Sequence, residues 1–222
     1  MAGAIAILVK TPGLSPVKTR LAADLGAERA EAFFRLSVKA VRSVVAEFLE
    51  VRTDWRAYWY VVERKGLKDP LWQDFETRPC GRGDLGLRMA RIYHHLCAEH
   101  GRAVLLGADT PQLTSAMLHA AWFVMEARAR PVIGPAEDGG FYLFGGRMEM
   151  PAPVWTETRY SVPETLADLT RRMGAAGVGA PFLLNPLSDV DTLRDLVWAV
   201  RQMPPDPTPE QQALIDWVRG LK

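Results

Sequence analysis

At 222 residues the chain can bury one substantial core, and a content of 48% hydrophobic and 24% charged residues excludes a disordered or fibrous protein. Lys and Arg total 27 against 26 Asp and Glu, so no overall field draws nucleic acid or an anionic membrane, and any phosphate site must come from a local cluster. Two cysteines, Cys80 and Cys97, lack metal-ligand spacing and make no disulfide framework. The opening MAGAIAILVKTPG has too short an apolar run and no basic segment for a signal peptide, and no stretch has the length of a transmembrane span. A soluble cytoplasmic domain, with no nucleic-acid or membrane partner, is expected.

In chain order, AIAILV (4–9) reads as a strand buried on both faces, followed by the turn-rich loop KTPGLSPVKTR. GAERAEAFFRLSVKAVRSVVAEFL carries Phe33, Phe34, Val41, Val44, Val45 and Phe48 at helical spacing. WRAYWYVV (55–62) is aromatic and β-branched, a second strand, and turn signals fill 66–79. GRGDLGLRMARIYHHLCAEHG predicts a helix opened by Asp84 and closed by Gly101. AVLLG predicts a third strand and TSAMLHAAWFVMEAR a helix. RPVIGP and GGFYLFGG predict two more strands around AEDGG. PETLADLTRRMGAAG predicts a helix, PFLLN a strand and LRDLVWAVRQM a helix.

PPDPTP (204–209), with four prolines in six residues, cannot continue a helix, and PEQQALIDWVRGLK beyond it reads as a short docked helix. The expected organisation is a main domain over 1–203 and a proline-rich linker with a C-terminal helix, 204–222, packed on it. Strands alternating with helices imply an α/β/α layered sheet, mainly parallel. The aromatic residues of WRAYWYVV and the C-terminal helix would serve either the core or a homodimer contact.

Four stretches that follow strands hold the candidate chemistry. The first, KTPGLSPVKTRL, has neither the Walker nor the dinucleotide-binding glycine pattern, but Lys10, Lys18 and Arg20 crowd it just before a helix, where cations and loop N–H groups can cradle a polyphosphate. In GADTP, Asp109 stands where a buried strand runs out, the usual mouth of a site in α/β sheets. The plainer alternative is a turn Asp capping the helix near Thr114. In GPAEDGGFYLFGG, Asp138-Gly139-Gly140 is first a hairpin signal, but Glu137 and two glycines also permit close approach of a ligand. In LSDVDTLRDL, Asp189 and Asp191 lie two apart, while Thr192 and Asp195 fit a helix capping box. Asp109 with Asp189 or Asp191 would suit Mg²⁺, provided the strands that carry them are neighbours. The four histidines form no metal or triad pattern, and neither cysteine reads as a nucleophile.

The ordered motifs K-T-P-x-x-x-x-V-K-T-R-L-A, G-D-L-G-x-R-M, G-A-D-T-P-x-L, G-P-A-E-D-G-G-F-Y-L and D-V-D-T resemble the small GT-A-fold transferases often encoded beside radical-SAM proteins, which carry a glycosyltransferase label. With altered details, the order is similar to that of 2-phospholactate guanylyltransferase and the molybdenum-cofactor guanylyltransferases. The resemblance covers about residues 4–200 and implies a GT-A-like α/β fold using Mg²⁺ or Mn²⁺. It implies that Lys10, Thr11, Pro12, Gly13, Lys18 and Arg20 hold nucleotide phosphates and that Gly83 and Asp84 lie near the base or ribose. Asp109, Asp189 and Asp191 would hold the metal, and Glu137, Asp138, Gly139 and Gly140 would shape the acceptor pocket. Asp109, Lys18 and Arg20 would act in catalysis.

The implied function is a metal-dependent transferase taking a nucleotide-sugar or nucleoside-triphosphate donor and a small-molecule acceptor. Glycosyl transfer is favoured by the GPAEDGGFYL and GDLGLRM details. The alternatives are nucleotidyl transfer with release of pyrophosphate and a non-catalytic nucleotide-binding module. Leu14 and Ser15 depart from the family's usual glycine, and WTETRYSVPETL matches its W-S-T-x-x-V stretch only loosely, so base and acceptor do not carry over.

Overall fold

A computed structural model describes residues 2–147 and 149–221. The strands are β1 (Gly3–Val9), β2 (Trp55–Val61), β3 (Glu76–Pro79), β4 (Ala103–Leu106), β5 (Val132–Pro135), β6 (Phe141–Gly146) and β7 (Phe182–Leu183). They form one seven-stranded sheet in the order β3-β2-β1-β4-β6-β5-β7. β6 runs antiparallel to β4 and β5, and the other pairings are parallel.

The helices are α1 (Thr19–Leu25), α2 (Ala27–Val51), α3 (Leu85–His100), α4 (Ser115–Arg128), α5 (Ala152–Thr156), α6 (Thr165–Ala175), α7 (Leu193–Arg201) and α8 (Pro209–Arg219). The period-two geometry of β1 sends Ile5, Ile7 and Val9 into a core shared with Phe34, Val41 and Phe48 of α2 and Leu118 and Met125 of α4. Ala4 and Ala6 point the other way, into a core with Met89 and Tyr93 of α3, Trp155 of α5 and Leu169 of α6. Burial on both faces is why β1 and β4 lack polar alternation. A third cluster, with Leu21, Phe33, Val190, Leu196 and Leu214, joins α1, α2, α7 and α8.

The helix boundaries follow their capping chemistry. Asp84 Oδ1 accepts from the Leu87 N–H at 2.9 Å and opens α3, and left-handed Gly101 closes it. Thr114 caps α4, and Thr192 with Asp195 forms a complete capping box on α7. The expected strands and long helices are all present, with AVLL as the fourth strand rather than the third. The strand expected over PFLLN is only Phe182–Leu183. Three elements were not anticipated. β3 is a polar edge strand without an apolar period, inside the stretch read as turns. α1 and α5 are short, and Leu21 in one and Val154 with Trp155 in the other anchor them rather than a repeating stripe. The histidines of α3 were expected at the surface, but His94 and His100 are half-buried, against Met150 O and Tyr58 Oη.

Two fastenings position the loops at one end of the sheet. Gln211 of α8 is buried, and its Nε2 donates to the carbonyls of Pro111 at 2.8 Å and Leu113 at 2.9 Å. The helix beyond the prolines therefore holds the loop that follows β4. Asp168 of α6, also buried, accepts from the Arg159 N–H at 3.0 Å and pairs with Arg171 at 2.5 Å and Arg172 at 3.4 Å, which holds segment 157–163 against α6.

Gln211→Leu leaves two buried carbonyls without their donor and is expected to cost about 2 kcal/mol, read as a lower urea midpoint. An unchanged midpoint would show that α8 does not fasten that loop. The Arg159 N–H, then Arg171 and Arg172, hold the Asp168 carboxyl well below the usual carboxylate range. A depressed folded-state pKa contributes stability that is present above about pH 4, the unfolded value, and is lost as pH falls further. Melting temperature should therefore fall more steeply below pH 4 in the wild type than in Asp168→Asn, which should already melt lower at pH 7. Parallel acid limbs in the two proteins would refute the clasp.

Candidate active site

A cleft of about 920 Å³ opens at the carboxyl ends of β1, β2 and β4, where the order 3-2-1-4 reverses direction about β1. β6 is antiparallel, so its first residues, Phe141 and Tyr142, reach the same end and line the cleft too.

The loop after β1 is built to deliver Lys18. The Thr11 N–H donates to Glu63 Oε2 at 2.8 Å, and the Thr11 carbonyl accepts from the Leu14 and Ser15 N–H groups, each at 3.1 Å. Burial pushes the Glu63 carboxyl up, but the bonds from Ser15 and Thr11 outweigh it and hold its pKa below the ordinary value. Gly13 takes φ 81°, a left-handed turn position. Thr11, Pro12 and Gly13 thus form the turn and do not line the cleft, whereas Lys10, Lys18 and Arg20 do.

Lys18 itself is in the left-handed region, φ 48° and ψ 45°, at the start of α1. Its side chain is 4% exposed, and Nζ stands 2.7 Å from Asp109 Oδ1 and 3.6 Å from Asp191 Oδ1. Arg20 Nη1 meets the other oxygen of Asp191, Oδ2, at 3.1 Å. Burial alone would lower the Lys18 pKa, but Asp109, Asp189 and Asp191 together raise it, so the group is a fixed ammonium. Asp189 is pushed up to about 7, first by burial and then by Asp109, with Lys18 opposing and Asp138 and Asp191 adding. The carboxylates outnumber the cations that face them.

The proximity that Asp109 needed with Asp189 and Asp191 is present, although β4 and β7 are separated by β6 and β5. The loops, rather than the strands, meet. The Val190 N–H donates to the Asp109 carbonyl at 3.2 Å, and Gln112 Nε2 donates to the Ser188 carbonyl at 2.6 Å. Asp109 is not the cap of α4, since Thr114 fills that place. Among the described residues, no three His, Cys, Asp or Glu form a ready-made metal cage.

The acceptor-side candidates divide. Asp138 and Gly140 line the cleft, with the Gly140 N–H donating to Asp138 Oδ1 at 2.9 Å. Glu137 faces α7 instead, accepting from Ser188 Oγ at 2.5 Å, Gln202 Nε2 at 3.1 Å and Trp198 Nε1 at 3.4 Å. Gly139, at φ 89°, lies against Pro163, whose carbonyl a Cβ would strike, so it seats segment 161–165 rather than a ligand. Gly83 and Asp84 also lie outside the cleft lining, Asp84 being the α3 cap.

Sequence reasoning passed over Arg88, which lines the cleft, as do residues 160–163 of WTETRYSVPETL, the stretch where the sequence offered acceptor contacts. Arg88 is four residues beyond the cap Asp84, one helical turn along α3, and this spacing within GDLGLRM was the signal for it. Its Nε is buried with no hydrogen-bond partner among the described residues. Ser161, at φ 61°, is with Lys18 a second non-glycine in the left-handed region on the cleft wall, and such backbone strain is concentrated at functional sites.

No curated protein matches the sequence. Among solved structures, a Desulfovibrio desulfuricans G20 protein provisionally named a nucleotide-diphospho-sugar transferase is similar with TM-score 0.82 and 25% identity, over 98% of this chain and 99% of that one. CMP:2-keto-3-deoxy-manno-octonic acid synthetase, solved with CTP, has TM-score 0.53 and 12% identity over 89% and 96% of the two chains. The 4-diphosphocytidyl-2C-methyl-D-erythritol synthase of Anaerococcus prevotii DSM 20548 has 0.56 and 9%, over 89% and 96%. The architecture is that of the nucleotide-diphospho-sugar transferase-like folds. Residues 50–162 match the model described as "Uncharacterized protein conserved in bacteria (DUF2064)", and the chain belongs to that family.

Proposed function

We propose that this protein is a metal-dependent transferase that takes a nucleotide-sugar and passes its sugar to a small-molecule acceptor. The observation that carries the reading is the charge pattern of the cleft: Lys18 and Arg20 beside Asp109, Asp189 and Asp191 at a strand-end crevice. Cations alone would bind phosphate, and carboxylates alone would repel it. The two together suit phosphates accompanied by a hard cation, which takes oxygen ligands and commonly binds through one or two carboxylates plus substrate phosphates. Asp189, raised first by burial and then by the Asp109 charge, fits the same group, and Asp109 with Asp189 or Asp191 would hold Mg²⁺ or Mn²⁺. The Desulfovibrio relative's name, at full-length similarity, supports a nucleotide-sugar donor.

The bound cation would supply charge neutralisation on the donor's diphosphate as it leaves. Lys18 and Arg20 add fixed positive charge at the same place, which is electrostatic stabilisation in a partly dry cleft. Leu8, Val62, Leu85 and Met89 with Arg88 give an apolar region on the β2–β3 side, where a flat base finds cover and the Arg88 guanidinium meets a base or ribose oxygen. Asp138, Gly140, Phe141 and Tyr160–Pro163 form the acceptor side. Asp138 Oδ1 is occupied by the Gly140 N–H, which leaves Oδ2 to accept from an acceptor hydroxyl. No covalent enzyme intermediate is invoked, since burial pushes the one cleft thiol, Cys80, up to about 12. Nucleotidyl transfer uses the same carboxylates and is the rival that the experiment must separate.

A thermal-shift panel of nucleoside triphosphates and UDP-, GDP- and dTDP-sugars, each with Mg²⁺, Mn²⁺ or EDTA, tests the reading. A ligand at about a hundred times its Kd should add roughly 2.7 kcal/mol of stability. One nucleotide-sugar should stabilise beyond its bare nucleoside diphosphate, and EDTA should remove most of the gain. Stabilisation by a triphosphate alone would move the assignment to nucleotidyl transfer. Asp109→Asn should abolish the cation-dependent part of the shift. If that part survives intact, the carboxylate site is wrongly placed. Arg88→Leu should weaken nucleotide binding about tenfold without changing its dependence on the cation, and equal affinity would remove Arg88 from the site.

A further inference from the structure

We infer that Lys18 holds the cation's place before the substrate binds, so that the site takes a divalent cation as its chelate with phosphates and resists the free ion. This rests on the cation site proposed above. Lys18 Nζ contacts Asp109 at 2.7 Å and is within 3.6 Å of Asp191, the carboxylates proposed to receive the metal. Its side chain is 4% exposed, and its backbone is held in the left-handed region by its place at the start of α1, where its carbonyl accepts from the Ala22 N–H at 2.8 Å. The ammonium therefore has little freedom to swing into water.

A free divalent ion arriving at Asp109 would meet a buried like charge already 2.7 Å from its Oδ1, and Lys18 would lose its shortest ion pair with no other anion brought to replace it. Arg20 cannot relieve the clash, being a second cation on Asp191. A phosphate arriving with the ion changes this balance. Its oxygens would accept from the Lys18 ammonium while Asp109 would be free to hold the cation, so every charge would keep a partner. Phosphate is the exchange partner that lets Lys18 give up the carboxylate. The substrate form selected is thus the metal–diphosphate chelate, and the same residue that later offsets phosphate charge guards the carboxylates beforehand.

The test is titration of the protein with Mn²⁺ alone, followed by electron paramagnetic resonance of the free ion, for the wild type, Lys18→Met and Lys18→Gln, with folding checked by circular dichroism. Two neutral variants are used because a buried methionine beside carboxylates could impair folding. The wild type should bind Mn²⁺ weakly. At least one folded variant should bind it tenfold tighter or more, and Asp109→Asn in that background should cancel the gain. Inorganic pyrophosphate added with Mn²⁺ should restore tight binding to the wild type and help the variants less. Folded variants that bind Mn²⁺ no tighter than the wild type, with binding still dependent on Asp109, would overturn the guarding role and leave the cation site standing. Absence of Mn²⁺ binding in every protein, with and without pyrophosphate, would overturn both.

Discussion

An ammonium sealed among carboxylates is the constraint around which the cleft is arranged. Removing a lysine from water is costly unless its charge is met, and the Lys18 side chain is 4% exposed. Asp109 and Asp191 must therefore converge on it from loops that are far apart in the chain. That convergence requires the loop after β4 and the loop after β7 to be joined, and the Asp109–Val190 and Gln112–Ser188 bonds join them. It also requires the chain to turn sharply before α1, which accounts for the left-handed backbone at Lys18 and for the Glu63 carboxylate bracing the turn behind it. Removing one of these carboxylates leaves the buried Lys18 charge less compensated, so the site's geometry and the fold's stability are coupled here.

The sequence carried the layered fold well, because long amphipathic helices and doubly buried strands leave strong periodic signals. The ends of α3 and α7 were legible from their caps, Asp84, Gly101, Thr192 and Asp195, since capping is short-range chemistry. β3 was not legible. ETRP earns its place by pairing with β2 rather than by burying a face, and pairing leaves no mark in a single segment.

The candidate site was legible as a set of residues more than as a set of directions. Lys18, Arg20, Asp109, Asp189 and Asp191 were singled out and do converge, although the contact is made by loops across two intervening strands. Glu137 and Gly139 sit in the right segment yet face α7 and Pro163. A one-residue step in a turn reverses a side chain, and nothing in AEDGG specifies which way each points. Arg88 was missed for the opposite reason: its position is an ordinary helical one, and only the tertiary placement of α3 turns it into the cleft.

The reversed strand β6 has a consequence for the layout of the cleft. Its insertion brings the hairpin 136–140 to the cleft rim, and the neighbouring 157–163 segment is secured by Asp168 on one side and by Tyr160 packed on the core on the other. On the proposed function, donor chemistry and acceptor choice would be written on different pieces of chain. Changes in segment 157–163 would then alter the acceptor side while Lys18, Asp109 and Asp191 keep their contacts, whereas a change at Glu137 would reach the loop of Asp189 and Asp191 through Ser188.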